Sequence, residues 1–163
     1  MSLDSLYQQL ILEHSKARHG SGFAPESADG TEGGDMTGAD GGAPRGRGES
    51  HQLNPVCGDE VTVRAEVADG VVRSLRWEGA GCSISMASAS VLHGLAEGAP
   101  LAEFDEVVAA FRDMLRSRGS VAGDPEVLGD AAAFEGVSRY AARVKCAMIA
   151  WVAAEDAVRQ ARG

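Results

Sequence analysis

Three cysteines, Cys57, Cys82 and Cys146, stand 25 and 64 residues apart, and each sits in a different setting. They read Asn54-Pro55-Val56-Cys57-Gly58-Asp59, Gly79-Ala80-Gly81-Cys82-Ser83-Ile84-Ser85-Met86 and Arg143-Val144-Lys145-Cys146. No pair forms the short C-x-x-C of a zinc finger or a thioredoxin-like redox pair, so any meeting of these thiols is the work of tertiary folding. Scattered cysteines are often no more than small buried hydrophobes. Here Pro-x-Cys-Gly-Asp, Gly-x-Gly-Cys at a helix start and a basic patch before the third cysteine argue for chemistry instead.

Asp59 follows Cys57 with only Gly58 between them, and glycine permits a turn tight enough for both side chains to face one point. Three thiolates and one carboxylate fill the four positions of a tetrahedral zinc. An oxygen among sulfurs is unusual for a purely structural zinc and suggests a site that can open. The same four groups, Cys57, Asp59, Cys82 and Cys146, could instead hold iron or an iron–sulfur cluster. The settings also favour thiolates. Cys82 opens an expected helix, whose positive dipole end stabilises an anion. Arg139 and Arg143 precede Cys146 at helical spacings. Cys57, on a loop between Pro55 and Gly58, is the sulfur expected to react.

The net charge of −9 and pI near 4.8 argue against a nucleic-acid partner, which requires a basic footprint. No stretch reaches the length of apolar residues that spans a bilayer, and no basic segment followed by an apolar run opens the chain, so neither a membrane nor secretion is expected. An odd cysteine count in such a chain points to a reducing cytoplasm. Aromatics make up only 5% of the residues against 44% hydrophobic overall, which leaves packing to alanine and valine and favours closely approached helices.

Residues 3 to 16 carry Leu3, Leu6, Tyr7, Leu10 and Ile11 at helical spacing, with Ser2 or Asp4 as cap. His14 closes that stripe as a packing or surface residue. From residue 20 to residue 50 lie ten of the 21 glycines. This composition predicts a flexible surface loop, either a neutral insertion or a lid or docking arm with Arg45 and Arg47 for an acidic partner. Val61, Val63, Ala65 and Val67 alternate with polar residues, Asp69-Gly70 marks a tight turn, and Leu75 and Trp77 share one face of the returning strand. With a third strand near His51 to Leu53, these make a small antiparallel sheet that carries Cys57 and Cys82 at one end. Helices are expected over Ser83–Glu97, with His93 exposed near its end, and over Leu101–Arg118, with a short helical segment near Ala131–Phe134. Ser138 is expected to cap a last helix from Arg139 to Gln160, its stripe Val144, Met148, Trp151 and Val152, with Cys146 on another face. One domain spans residues 1–163 in this reading.

The stretches NPVCGD, GAGCSISMASASV and LGDAAAFEGVSRYAARVKCAMIAW, with DSLYQQLILEH more weakly, resemble the U-type iron–sulfur assembly proteins and specifically their SufU branch. The resemblance implies an α+β fold, a three-stranded antiparallel sheet with helices on one face and the metal site at one end. It implies zinc on Cys57, Asp59, Cys82 and Cys146, and a pyridoxal-phosphate cysteine desulfurase of the SufS type as partner. Cys57 would accept sulfur as a persulfide once a histidine of the desulfurase replaces it on the metal, Arg143 would support the site, and a downstream cluster scaffold would receive the sulfur. The alternative is the IscU branch, a scaffold for a [2Fe-2S] cluster on the same residues. That branch has His before the third cysteine, where this chain has Lys145, and an LPPVK segment, where this chain has a Leu101–Gly129 region similar to the SufU insertion. A metal-stabilised interaction module without chemistry is the third possibility. The chain departs from the SufU pattern at Ser15-Lys16-Ala17-Arg18, which stands for Asn-Pro-Arg-Asn, and at Tyr140-Ala141, which stands for Phe-Pro.

Overall fold

The computed structural model describes residues 3–23, 46–55 and 58–162. Cys57, residues 24–45, Ser2 and the side chain of Asp4 lie outside the described residues. Helix α1 (Leu3–Ala17) precedes strands β1 (Gly46–Asn54), β2 (Asp59–Ala68) and β3 (Val71–Ala80). Helices α2 (Ser83–Ala96), α3 (Leu101–Arg116) and the short α4 (Pro125–Leu128) follow. A 3-10 segment (Gly129–Arg139) then leads into α5 (Ala141–Arg162). The fold is α+β, as expected, with an antiparallel sheet in the order β1-β2-β3. Among the described residues no helix is long and apolar enough to cross a membrane.

The alternation read in β2 is realised, because Val61, Val63, Ala65 and Val67 are all buried, as are Leu75 and Trp77 of β3. The β2–β3 turn takes positive φ at both Asp69 (+56°) and Gly70 (+73°), the backbone that matches the right-handed twist of a two-residue hairpin. β1 starts at Gly46, well before the expected His51. Its glycines look like loop composition, but they are there for contact. A Cβ on Gly46 would stand 1.6 Å from the Ala161 carbonyl oxygen, and one on Gly48 would stand 2.0 Å from that of Ala157. Helix α5 thus rests directly on the edge strand. Residues 20–22 are likewise ordered against the opposite edge: Trp77 N–H donates to the Gly20 carbonyl (3.0 Å) and Gly22 N–H donates to that of Trp77 (2.8 Å).

Four side-chain expectations are corrected. Helix α5 buries Ala147, Ala150, Trp151, Ala154, Ala157 and Val158, so its stripe is mostly alanine, and Val152 is exposed. Ser138 does not cap this helix, since its hydroxyl donates back to the Glu135 carbonyl (2.6 Å) inside the 3-10 segment, and α5 starts three residues later. His93 is held in rather than exposed, with Nδ1 2.7 Å from the Leu75 carbonyl. Leu6 faces solvent while Ile11 carries the buried end of the α1 stripe.

Trp151 lies in the core, stacked on Phe111 with centroids 3.9 Å apart, and its Nε1–H donates to Ser88 Oγ (2.8 Å). The Ser88 hydroxyl in turn donates to the Ala147 carbonyl (2.6 Å), tying α2 to α5. Ser88→Ala leaves the indole N–H buried without its acceptor. It should cost about 1–3 kcal/mol, read as a lower denaturant midpoint at unchanged slope.

Candidate metal centre

Three of the four expected ligands converge. Asp59 is the first residue of β2, Cys82 is the N-cap of α2 and Cys146 lies in the second turn of α5. One ligand atom from each of Asp59, Cys82 and Cys146 lies within 4.8 Å of the others. The fourth, Cys57, is outside the described residues, two positions from Asp59 in the chain. Gly58 between them has φ +78° and its N–H donates to the Asn54 carbonyl (2.7 Å), the tight turn expected of it.

The glycines before Cys82 are there for clearance. A Cβ on Gly81 would lie 2.5 Å from Asp59 Oδ1, and one on Gly79 would lie 2.4 Å from the Glu60 carbonyl oxygen. Gly81 lets the β3–α2 connection close over the carboxylate, and Gly79 lets the end of β3 lie close against β2. Asp59 is buried, and Oδ1 accepts the Cys82 N–H (3.1 Å) while Oδ2 accepts the Ser85 hydroxyl (2.5 Å). Cys82 Sγ is 3.8 Å from Oδ2 and 3.6 Å from Ser85 Oγ. Burial pushes the Asp59 carboxyl up, but hydrogen bonds from Ser85, Cys146 and Cys82 together outweigh it and hold the group below the usual carboxylate range. The carboxylate is therefore kept ionised in a buried position, the state in which it can bind a cation.

Ser85 was not singled out from the sequence. The signal was present, because three residues after an N-cap cysteine is one helical turn, which brings the hydroxyl back beside the sulfur. Cys146 corrects an expectation in the other direction. It is fully buried rather than turned to a separate basic face. Arg139 belongs to the 3-10 segment and not to α5, so the two arginines do not share a helical face. Both still line, with Cys82, Tyr7 and Val137, a groove of about 580 Å³ that opens beside the sulfur.

The donor set fits a metal of borderline softness. A tetrahedral zinc spaces its ligand atoms roughly 3.3–3.8 Å apart; Cys82 Sγ and Asp59 Oδ2 stand 3.8 Å apart, and the set with Cys146 lies within 4.8 Å. Two sulfurs, an ionised carboxylate and a buried, hydrogen-bonded setting meet the chemical requirement.

An α+β protein with an open three-stranded sheet, whose strand end and two helices converge thiols and a carboxylate, is thus the class that fold and site define. The chain belongs to the family of the NifU-like N-terminal domain, which matches residues 7–147. It is 33% identical over 162 residues, 99% of this chain and 95% of the other, to the zinc-dependent sulfurtransferase SufU of Bacillus subtilis. It is 34% identical over 107 residues, 66% of this chain and 73% of the other, to the iron–sulfur cluster assembly scaffold protein IscU of Thermotoga maritima. In structure it is similar to a crystal structure described as a putative iron–sulfur cluster assembly scaffold protein for the SUF system, from Fervidobacterium islandicum. The TM-score is 0.70 at 25% identity, covering 96% of this chain and 99% of the other.

Proposed function

We propose that this protein works in the cytoplasm as a sulfur acceptor in iron–sulfur cluster assembly. It takes sulfur from a pyridoxal-phosphate cysteine desulfurase of the SufS type and hands it to a downstream scaffold. The observation that carries this reading is the convergence of Asp59, Cys82 and Cys146 in a chain similar over nearly its whole length to a zinc-dependent sulfurtransferase. Cys57 is the acceptor. Its thiolate attacks the outer sulfur of the donor's cysteine persulfide, an S–S bond to Cys57 forms as the donor's S–S bond breaks, and the donor cysteine leaves as a thiolate. The transferred sulfur keeps its oxidation level, so no oxidant or reductant is required.

Asp59, Cys82 and Cys146, with Cys57, are the residues that would hold zinc. Zinc, when bound, supplies a redox-inert charge that keeps its sulfur ligands deprotonated. The chain's own groups do the rest. Ser85 and the Cys82 N–H fix the Asp59 carboxylate, so both ends of the ligand set are held by the first turn of α2. Arg143 lines the groove beside Cys82, where it supports the approach of an anionic persulfide.

Cys57→Ser is expected to take up no labelled sulfur from the desulfurase while still folding, and uptake equal to wild type would show that another group is the acceptor. The similarity to IscU favours a second reading, a [2Fe-2S] scaffold on the same residues. Metal analysis after anaerobic isolation separates the two, with zinc and stimulation of the desulfurase expected for the acceptor and iron with acid-labile sulfide for the scaffold. Lys145 in place of the scaffold branch's histidine favours the first.

A further inference from the structure

We propose that Arg18 is a positioning residue for the metal centre, clamping the two backbone segments that meet at Cys82. This rests on the metal-centre reading above. Arg18 lies just past α1, far from the cysteines in sequence, yet its half-buried guanidinium reaches both sides of the Cys82 turn. Nη2 donates to the Gly79 carbonyl (3.1 Å), at the end of β3 and three residues before Cys82. Nη1 lies 3.0 Å from the thioether sulfur of Met86, in the first turn of α2, whose own N–H donates to the Cys82 carbonyl (3.1 Å). Nη2 also reaches Ser21 Oγ (3.3 Å), and the guanidinium lies 4.9 Å from the centroid of the Trp77 ring.

One planar cation thus joins the strand before Cys82, the helix after it and the 20–22 segment that covers the edge of β3. Arginine is suited to this because its donors diverge from a rigid fork while its face stacks on an aromatic ring. The backbone at Arg18 supports the same conclusion. It has φ +49°, the left-handed region where glycine is the relaxed choice at a helix C-terminus. A residue with the largest hydrogen-bonding fork in the repertoire occupies it instead, and the backbone geometry aims that fork at β3. Gly79 and Ala80 are held in register by β2, but Gly81 leaves the step from β3 to Cys82 without a side chain, so that step is steadied by partners brought from elsewhere. Arg18 is that partner on one side, and Asp59, accepting the Cys82 N–H, is the partner on the other.

The test is cobalt(II) binding, read from the thiolate-to-cobalt charge-transfer absorption in competition with a chelating indicator, for wild type, Arg18→Met and Arg18→Lys. Loss of an outer-shell partner of a metal ligand typically weakens binding about 10–100-fold. Arg18 acts one step further out, through Gly79 and Met86, so Arg18→Met is expected at the lower end, about 10-fold weaker, with a shifted charge-transfer band. Arg18→Lys should fall between, since one ammonium cannot reach both Gly79 and Met86 as a fork does. Arg18→Met binding cobalt within about twofold of wild type, with an unchanged band, would overturn the proposal even if its metal-free form melted earlier, because that pattern is a purely structural role. If Arg18→Met does not fold, Met86→Leu decides, as a volume-conserving change that removes only the sulfur contact. Weakened cobalt binding supports the clamp and unchanged affinity overturns it. Wild-type protein that gives no charge-transfer band overturns the metal centre together with this proposal, an outcome distinct from a silent Arg18→Met.

Discussion

Stripped of zinc by a chelator, the protein is expected to melt about 8–16 °C below its zinc-saturated form. A ligand that binds only the folded state at a thousand times its dissociation constant contributes about 4 kcal/mol, and a chain of this length converts each kcal/mol into roughly 2–4 °C. The shift comes from where the ligands sit. Asp59 opens β2, Cys82 caps α2 and Cys146 belongs to α5, three elements that the ion would join at one point. Two of the three, Asp59 and Cys146, are buried, so losing the cation leaves a carboxylate and a thiol in a dry site designed around charge. The metal-free protein should nonetheless remain folded, because Trp151, Phe111, Phe134 and the valines of β2 form a core that does not depend on the site. A calorimetric midpoint that stays in place on zinc removal would mean that these groups do not share an ion. A chain unfolded outright would mean that this core does not hold without the ion.

The sequence displayed some of this plainly and hid the rest, and the division follows from how each interaction is encoded. The two-residue alternation of β2 and the Asp69-Gly70 turn are local signals, and both appear in the structure with the side chains facing as expected. The candidate ligands are legible because cysteines in such settings are chemically rare, and the ligand atoms of Asp59, Cys82 and Cys146 do come within 4.8 Å of one another. What sequence reasoning misjudged is mostly about small residues. Apolar periodicity in α5 points to Val144, Met148, Trp151 and Val152, of which Trp151 is fully buried, whereas most of the buried face is built from alanines that carry little hydropathy contrast. Composition places Gly46 and Gly48 with the glycines of an expected loop, because it cannot tell a glycine that is unconstrained from one pressed against a helix. In the sequence Arg18 stands out only as part of a departure from a family pattern. Its role is written in contacts with Gly79 and Met86, more than sixty residues away, which no window of the sequence contains.

The glycines give the second large effect its sign. Gly48→Val should lower the thermal midpoint by several degrees, up to about 10 °C, although valine is the better strand residue by up to about 1 kcal/mol in a permissive context. Two terms oppose each other. Replacing glycine restricts the unfolded chain and stabilises by roughly 0.4–1 kcal/mol where the folded backbone has room. At Gly48 there is no room, since the added Cβ would be 2.0 Å from the Ala157 carbonyl oxygen and 2.9 Å from Gln160 Cβ. The first of these is backbone within a helix and cannot rotate away. Overpacking of this kind costs typically 1–3 kcal/mol and occasionally more, and the branched methyls add to it, so the steric term wins. Relief requires α5 to lift off β1. Because Cys146 rides on that same helix, the variant should also bind zinc more weakly. Gly94 supplies the internal control: it lies within α2 with nothing within 4 Å of an added Cβ. Gly94→Ala should therefore gain about 1 kcal/mol of helix propensity, raising the midpoint by roughly 2–4 °C. Opposite shifts from two substitutions at glycine, in one protein under one set of conditions, would establish that the close approach of α5 to β1 is what requires glycine at Gly48. Equal shifts would return Gly46 and Gly48 to the status of ordinary strand residues.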